Sequence, residues 1–293
     1  MFLNFGSLNL DFVYSVTHSV RAGETLASTD RACFAGGKGL NQSLALARAG
    51  GAVAHAGCVG EDGGMLRQLL EESGVNTETL LTVDGPTGHA IIQLDQNGQN
   101  SILLFGGANH RVTPAQIDKT LAAYGEGDSL IIQNEISHIP YLMTAAASRG
   151  MRVIWNPSPF AEELKSWPLS AVSCFVVNEI EGEALTGRSD PEAILDEMRA
   201  RYPHAATLLT LGSRGSCYDD GTQRVYAECV EVPVVDTTAA GDTFLGYFFA
   251  HLDSHGAQKA LQIASTAAGM AVSVKGAANS IPLAKDVYAF MEK

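Results

Sequence analysis

Through the second half of the chain, short runs of aliphatic and β-branched residues alternate with helical patterns. Residues 129–133 (Ser-Leu-Ile-Ile-Gln), 152–155 (Arg-Val-Ile-Trp), 174–177 (Cys-Phe-Val-Val) and 207–211 (Thr-Leu-Leu-Thr-Leu) read as buried strands. One helical pattern runs from about 114 to 124, with Thr113 as N-cap and Pro114 at the first helical position. Another runs from about 191 to 201. Parallel strands joined by helices need both faces of their sheet covered, so few folds accommodate this alternation. The expectation is a single α/β domain over residues 1–293, with three α/β/α layers around a mostly parallel sheet. Ligands of such sheets lie beyond the carboxyl ends of the strands. Glu135, Asn156 and Asn178 fall there.

Two early regions break the pattern. Residues 89–105 alternate apolar and polar about Asn97-Gly98, a strong hairpin signal. Residues 12–16 and 31–34 also look like strands. These segments predict a small β lid, discontinuous in sequence, drawn from about 11–35 and 86–107 and able to close over a pocket. The alternative is that they extend an edge of the main sheet.

Bulk properties narrow the partners. A chain with 46% hydrophobic and 17% charged residues has the composition of a soluble globular protein. Its formal net charge of −13 repels polyphosphate backbones, so no nucleic-acid partner is expected. Small anions remain accessible, because helix N-termini and metal ions act locally. The five cysteines (Cys33, Cys58, Cys174, Cys217, Cys229) form no C-x-x-C pair and read as small core residues in a reducing compartment. The opening Met-Phe-Leu-Asn-Phe-Gly lacks a basic n-region, and no 18-residue apolar run occurs. A cytoplasmic location without a membrane partner is therefore expected, and the sequon Asn41-Gln-Ser43 is read as chance.

The segment Asp236-Thr-Thr-Ala-Ala-Gly-Asp242-Thr-Phe sets a carboxylate after small residues at a helix start. Phe244, Leu245, Phe248, Phe249 and Leu252 supply that helix with an apolar stripe. Unpaired N–H groups and the helix dipole favour negative charge there. A carboxylate beside an anion site suits one task well: accepting a hydroxyl proton while a phosphoryl group transfers. The plainer reading is an acidic residue in an ordinary first turn.

Four other motifs carry chemistry. Ala35-Gly-Gly-Lys-Gly-Leu-Asn41 precedes a helical run over residues 42–49 and offers close main-chain approach with Lys38 and Asn41 as donors. It is not a Walker A loop, because Gly39 follows Lys38 and the spacing differs. Gly6-Ser-Leu-Asn-Leu-Asp11 ends the first strand with a carboxylate suited to two hydroxyls, or to a turn. In Asn178-Glu-Ile-Glu181 the i and i+3 oxygens suit a water-mediated Mg²⁺ contact, a capping box, or both. Thr210-Leu-Gly-Ser-Arg-Gly215 is a strand running into a glycine turn that would hold phosphate or ribose. H-E-x-x-H, G-x-S-x-G and G-x-G-x-x-G are all absent, which argues against zinc-protease, esterase and nicotinamide-dependent oxidoreductase chemistry.

Taken together, Gly36-Gly-Lys-Gly-Leu-Asn41 and Asp236-Thr-Thr-Ala-Ala-Gly-Asp242 resemble the two signatures of the ribokinase-like (PfkB) carbohydrate kinases. The resemblance spans nearly the whole chain and takes in Gly6-Ser-x-Asn9-x-Asp11, Ala22-Gly-Glu-Thr25, the Asn97-Gly98 hairpin, Gly107-Ala-Asn109, Asn156-Pro157 and Lys275-Gly-Ala277. It implies an ATP-dependent kinase acting on the primary hydroxyl of ribose; another small sugar or nucleoside, or a non-catalytic sugar-binding role, are the alternatives. Asp242 would be the base, with Ala239, Ala240 and Gly241 as the anion hole. Asn9, Asp11, Gly37, Lys38, Asn41 and Glu135, with Asp242, would hold the sugar. Asn178, Thr210, Gly212, Ser213, Gly215, Gly241 and Ser265 would contact ATP. Glu181 would serve Mg²⁺, while Asp236, Thr238, Ala271, Val274, Gly276 and Ser280 would serve K⁺. The family likeness also implies a homodimer formed through the lid. Departures from the family pattern are Leu245-Gly-Tyr247 after the base, where Asn-Gly-Ala is usual, and the lack of a proline in Arg21-Ala-Gly-Glu24. Leu245 and Tyr247 either reshape the rear wall of the pocket or repack the core.

Overall fold

The computed structural model describes residues 1–292. Its strands are β1 (Phe2–Phe5), β2 (Asn9–Ser15), β3 (Asp30–Gly36), β4 (Val53–Val59), β5 (Leu80–Thr82), β6 (Gly88–Leu94), β7 (Asn100–Phe105), β8 (Ser129–Ile132), β9 (Arg152–Trp155), β10 (Cys174–Asn178), β11 (Ala206–Thr210), β12 (Ser216–Asp219) and β13 (Arg224–Ala227). The helices are α1 (Lys38–Arg48), α2 (Gly64–Glu72), α3 (Pro114–Leu121), α4 (Ile139–Ala147), α5 (Glu179–Thr186), α6 (Pro191–Arg201), α7 (Ala240–His255), α8 (Ala257–Val272) and α9 (Ala284–Met291).

Nine strands form the main sheet in the order β13-β12-β11-β10-β9-β8-β1-β4-β5. Pairing is parallel from β5 to β11, and β12 and β13 add an antiparallel edge. Alternation along each strand sends side chains to two separate cores. Ile131, Ile154 and Leu208 face α1, α7 and α8; Leu130, Val153 and Leu209 face α3, α4 and α6. The expected three-layer architecture is the one observed. Among the described residues no helix is long and apolar enough to cross a membrane.

Local signals place the elements well. Thr113 caps α3, its Oγ1 accepting from the Gln116 N–H, and Pro114 occupies the first helical position. Helix α6 spans the expected residues, capped by Asp190. The four anticipated strands lie within a residue of their expected bounds. Helix α1 begins four residues earlier than expected, at Lys38 rather than Gln42. The cause is a close approach that only glycine permits: a Cβ on Gly39 would lie 2.5 Å from the Ser7 nitrogen. That approach lets the Leu40 N–H reach the Ser7 carbonyl at 2.9 Å.

The early segments form a sheet of their own, in the order β3-β2-β6-β7, rather than an extension of the main one. Its hairpin pairs His89 with Phe105 through Leu94 with Asn100. The turn closes as Asp95 Oδ1 accepts from the Asn97 and Gln99 N–H groups, with Gly98 at φ 78°. The cysteine expectation needs correction. Cys58, Cys174 and Cys217 are buried, but Cys33 lies half-buried on the lid and Cys229 is exposed. Cys229 follows β13 and lines a large cavity beside the main sheet.

Helices α1 and α7 cross at Gly246. A Cβ there would lie 2.4 Å from Ala45 Cβ and 2.7 Å from the Leu46 nitrogen, so the two backbones touch. Gly246→Ala is therefore expected to overpack this crossing and cost about 1–3 kcal/mol, read as a lower urea midpoint at unchanged m-value.

Candidate active site

The α1–α7 crossing brings two distant segments of sequence together. Asp242 stands in the first turn of α7 and is only 7% exposed. Ahead of it, Ala239 adopts a left-handed conformation (φ 61°), which turns the chain into the helix and aims first-turn N–H groups outward. From α1, Gln42 Nε2 donates to Asp242 Oδ1 at 2.9 Å and Asn41 Nδ2 donates to Asp242 Oδ2 at 3.2 Å. Burial pushes the Asp242 carboxyl up, while Lys38 and these two amides pull it back toward ionisation.

Two more carboxylates meet this one. Glu135, just beyond β8, accepts from Ser7 Oγ. Its pKa is raised by burial and by the charge of Asp242, against the opposing pull of Ser7 and Lys38. Asp11 on β2 is pushed up to about 6, first by burial and then by Glu135. Gly36 leaves room for it, since a Cβ there would lie 2.0 Å from Asp11 Oδ2. Gly37, at φ 94°, packs against the backbone of residues 7–9. Asn9 Oδ1 accepts from Asn109 Nδ2 at 2.8 Å, which ties β2 to the segment after the hairpin. Asn41 Oδ1 is buried without a partner among the described residues. The residues assigned to the sugar thus cluster at the seam between lid and main sheet. Their mix of carboxylates, amides and one ammonium suits a ligand rich in hydroxyls.

Beside them lies a cavity of about 760 Å³. Thr210, Gly212, Ser213, Gly215, Gly241 and Ser265 line it, as does an apolar wall that includes Val230, Val232, Phe244 and Val272. A second cavity of about 380 Å³ holds Lys38, Asn156, Asn178, Glu181 and Asp242. Both are bounded by Thr210, Thr237, Ala240 and Gly241, so the turn before Asp242 stands where they join. Of the residues assigned to ATP, Asn178 alone lies in the smaller cavity and not the larger. There it caps α5 in a reciprocal box: Asn178 Oδ1 accepts from the Glu181 N–H and Glu181 Oε2 from the Asn178 N–H.

Asp236 staples two loops. Its Oδ1 accepts from Thr238 N and Oγ1, and its Oδ2 from the Gly276 N–H at 3.0 Å. Partial burial works to raise its pKa, but these hydrogen bonds outweigh that and hold it low. Of the residues assigned to K⁺, these bonds join Asp236, Thr238 and Gly276, while Ala271 lies near the end of α8 and Ser280 Oγ donates to the Ala277 carbonyl. No group of three or more His, Cys, Asp or Glu side chains among the described residues could hold a metal.

Ser7, Gln42 and Gln133 were not singled out in the sequence, although each belongs to the polar network of the site. Ser7 lies inside the Gly6–Asp11 motif and Gln42 adjoins the Gly36–Asn41 one, and that proximity was the available signal. Val230 and Val232 follow no motif, and only the fold brings them to the larger cavity. Leu245 and Tyr247 are 1% and 0% exposed and line neither cavity. Tyr247 donates instead to the Pro282 carbonyl, so both departures from the family pattern repack the core.

The profile of the pfkB family carbohydrate kinases matches residues 2–284. A bifunctional ribokinase/ribose-5-phosphate isomerase A from Fructilactobacillus sanfranciscensis is 36% identical over 290 residues, covering 94% of this chain and 53% of that protein. This chain thus spans about half that protein's length. The ribokinase of Haemophilus influenzae is 33% identical over 299 residues, covering 98% of this chain and 97% of its own. Among solved structures, that of Arabidopsis thaliana ribokinase complexed with ribose and ATP superposes with a TM-score of 0.87 at 28% identity, covering 100% of this chain and 98% of that one.

The raised carboxyl of Asp11 has a consequence for the ligand-free protein. At pH well below its ordinary value of 3.8 the group is neutral whether folded or unfolded, and nothing is lost. As pH climbs from 3.8 to about 6, the unfolded chain ionises while the folded one still holds its proton, so the folded state loses stability, by up to about 3 kcal/mol. Asp11→Asn is expected to gain stability relative to wild type between pH 4 and pH 7, measured by urea unfolding at each pH.

Proposed function

Because the chain belongs to the pfkB family of carbohydrate kinases and is an ATP-dependent sugar kinase, we propose that its acceptor is the O5 hydroxyl of D-ribose, giving ribose 5-phosphate and ADP. The observation that carries the proposal is the position of Asp242, next to the 239–241 turn and within reach of Asn41 and Gln42. Asp11, Lys38, Asn41 and Glu135 offer a hydroxyl-rich ring its partners, whereas a purine would need an apolar slot among them.

In this reading Asp242 takes the proton from the attacking hydroxyl. A bond forms between O5 and the γ-phosphorus while the bridging P–O bond to the β-phosphate breaks, and its electron pair leaves with ADP. The N–H groups of Ala239, Ala240 and Gly241 face the charge that develops on the transferring group. Thr210, Gly212, Ser213, Gly215 and Ser265 hold the nucleotide in the larger cavity, with Asn178 in the adjoining smaller one. Mg²⁺, when bound with ATP, supplies neutralising charge to the phosphates. Glu181 fits it as a single carboxylate reaching the metal through water. Asp236 and Thr238, with the main chain near Ala271, Val274, Gly276 and Ser280, fit a K⁺ whose role would be to keep the anion turn ordered.

The reading extends to assembly and location. On β7, Ile102, Leu103, Leu104 and Phe105 are at least half exposed, and an apolar edge strand of that kind calls for a cover. A second copy joined through the lid would provide one. The five free cysteines support a cytoplasmic location.

Three experiments test these proposals. With ATP, Mg²⁺ and K⁺, ribose should give the highest kcat/KM of a panel of pentoses, ketohexoses and nucleosides. Fructose or adenosine surpassing it tenfold would overturn the ribose assignment. On that substrate Asp242→Asn should lower kcat by about 10²–10⁴-fold with nucleotide binding retained, and equal rates would remove the base from this position. For the assembly, the double substitution Leu103→Asp/Leu104→Asp should convert a dimer into a monomer in sedimentation velocity; wild type sedimenting as a monomer would refute it.

A further inference from the structure

Behind the base, a chain of buried amides runs from the carboxylate to the far side of α1. Gln42 Nε2 donates to Asp242 Oδ1 at 2.9 Å, and Gln42 Oε1 accepts from Gln133 Nε2 at 2.6 Å. Gln133 Nε2 also donates to Asn4 Oδ1 at 3.1 Å. Asn4 Nδ2 in turn donates to the Gly39 carbonyl at 2.8 Å and to Ser43 Oγ at 3.0 Å. Asn4, Gln42 and Gln133 are each at most 1% exposed.

This chain has a direction. Turning the Gln42 amide over would set its oxygen against both Asp242 Oδ1 and Asn156 Oδ1. Turning Gln133 over would set its oxygen against those of Asn4 and Gln42. Each amide therefore locks the next, and the lock is anchored on the backbone of α1. Gln133 maintains this orientation at a cost, because its own Oε1 is left without a partner among the described residues, 2.3 Å from where a Cβ on Gly6 would lie. Leaving a buried acceptor unsatisfied is unfavourable. The arrangement persists although an apolar side chain would fill the same space.

The two oxygens of Asp242 are thereby made unequal. Oδ1 receives the short, well-oriented bond from Gln42, while Oδ2 receives only the longer one from Asn41. The geometry points to Gln42 as a positioning residue for the base, held in its donating orientation by Gln133, so that Oδ2 is the oxygen that receives the proton of the sugar hydroxyl. The inference rests on Asp242 being the base. Gln42 does not touch substrate in this account; it fixes the carboxylate and keeps it ionised. The charged groups facing Asp242 are Lys38 from α1, Glu135 from the end of β8, Asp11 from β2 behind Glu135, and Glu181 across the smaller cavity from α5. Lys38 is the cation among them, so without Gln42 it would be left with Asn41 to oppose burial.

The test is the pH dependence of single-turnover phosphoryl transfer, with ATP and the best sugar of the panel both saturating. Saturation confines the acid limb to groups titrating in the complex, and so separates Asp242 from sugar-binding carboxylates that titrate in the free enzyme. Gln42→Met should move the acid limb up by about one pH unit or more, since a hydrogen bond to a charged acceptor is lost. It should also lower the plateau by about tenfold while leaving the sugar KM within about threefold. Gln133→Met, one amide further from the base, should move the limb in the same direction by less, and it serves as the reporter if Gln42→Met does not fold. An acid limb that stays in place in the variants, with only thermal stability reduced, would overturn the inference and leave the amides a structural role. Asp242→Asn run in parallel distinguishes the two levels of failure. Full turnover in that variant removes the base itself; an inactive Asp242→Asn with an unmoved limb in Gln42→Met and Gln133→Met removes the positioning role alone.

Discussion

The backbone contact between α1 and α7 is the constraint on which the site depends. Asn41 and Gln42 are about two hundred residues from Asp242 in sequence, yet both donate to its carboxylate. That reach requires the helices to approach more closely than ordinary side chains permit. Gly246 supplies the gap on α7, and Gly39 plays the corresponding part where α1 presses on the turn after β1. Close packing transmits small displacements, so a shift of a few tenths of an ångström at the crossing would appear at the carboxylate.

Around that contact the fold concentrates negative charge and then manages it. Asp11, Glu135 and Asp242 all have raised pKa values, with burial the leading cause for each. Lys38 opposes the rise at both Glu135 and Asp242, and neutral amides and a hydroxyl supply the rest. Such a site is unfavourable when empty and becomes satisfied by a ligand with many hydroxyl donors. A protein with a net charge of −13 gains no help from its overall field in attracting a nucleotide, so recognition of phosphate falls to local devices. In the proposed reading the 239–241 turn, with Ala239 in the left-handed region, would be one such device.

The lid contributes both shape and exposure. Strand β2 leaves the end of β1 through Ser7 and Asn9 and carries Asp11 toward Glu135, while Asn109 ties the return of the hairpin to the same point by accepting from the Leu8 N–H and donating to Asn9. The lid's outer strand, β7, has no partner along one edge among the described residues.

Much of this was legible in the linear order of residues. Strand and helix alternation gave the three-layer sheet because a period of two and a period of 3.6 are local properties, and caps such as Thr113, Asp190 and Asn178 mark helix starts by side-chain chemistry alone. The two glycine-bearing motifs stood out because close backbone approach leaves a compositional trace. The start of α1 at Lys38 and the joining of Gln42, Gln133 and Asn4 into one directed network left no such trace. A glutamine in a helix reads the same whether it faces water or a carboxylate. Its environment is set by residues brought alongside by packing, and packing belongs to the three-dimensional arrangement of the whole chain.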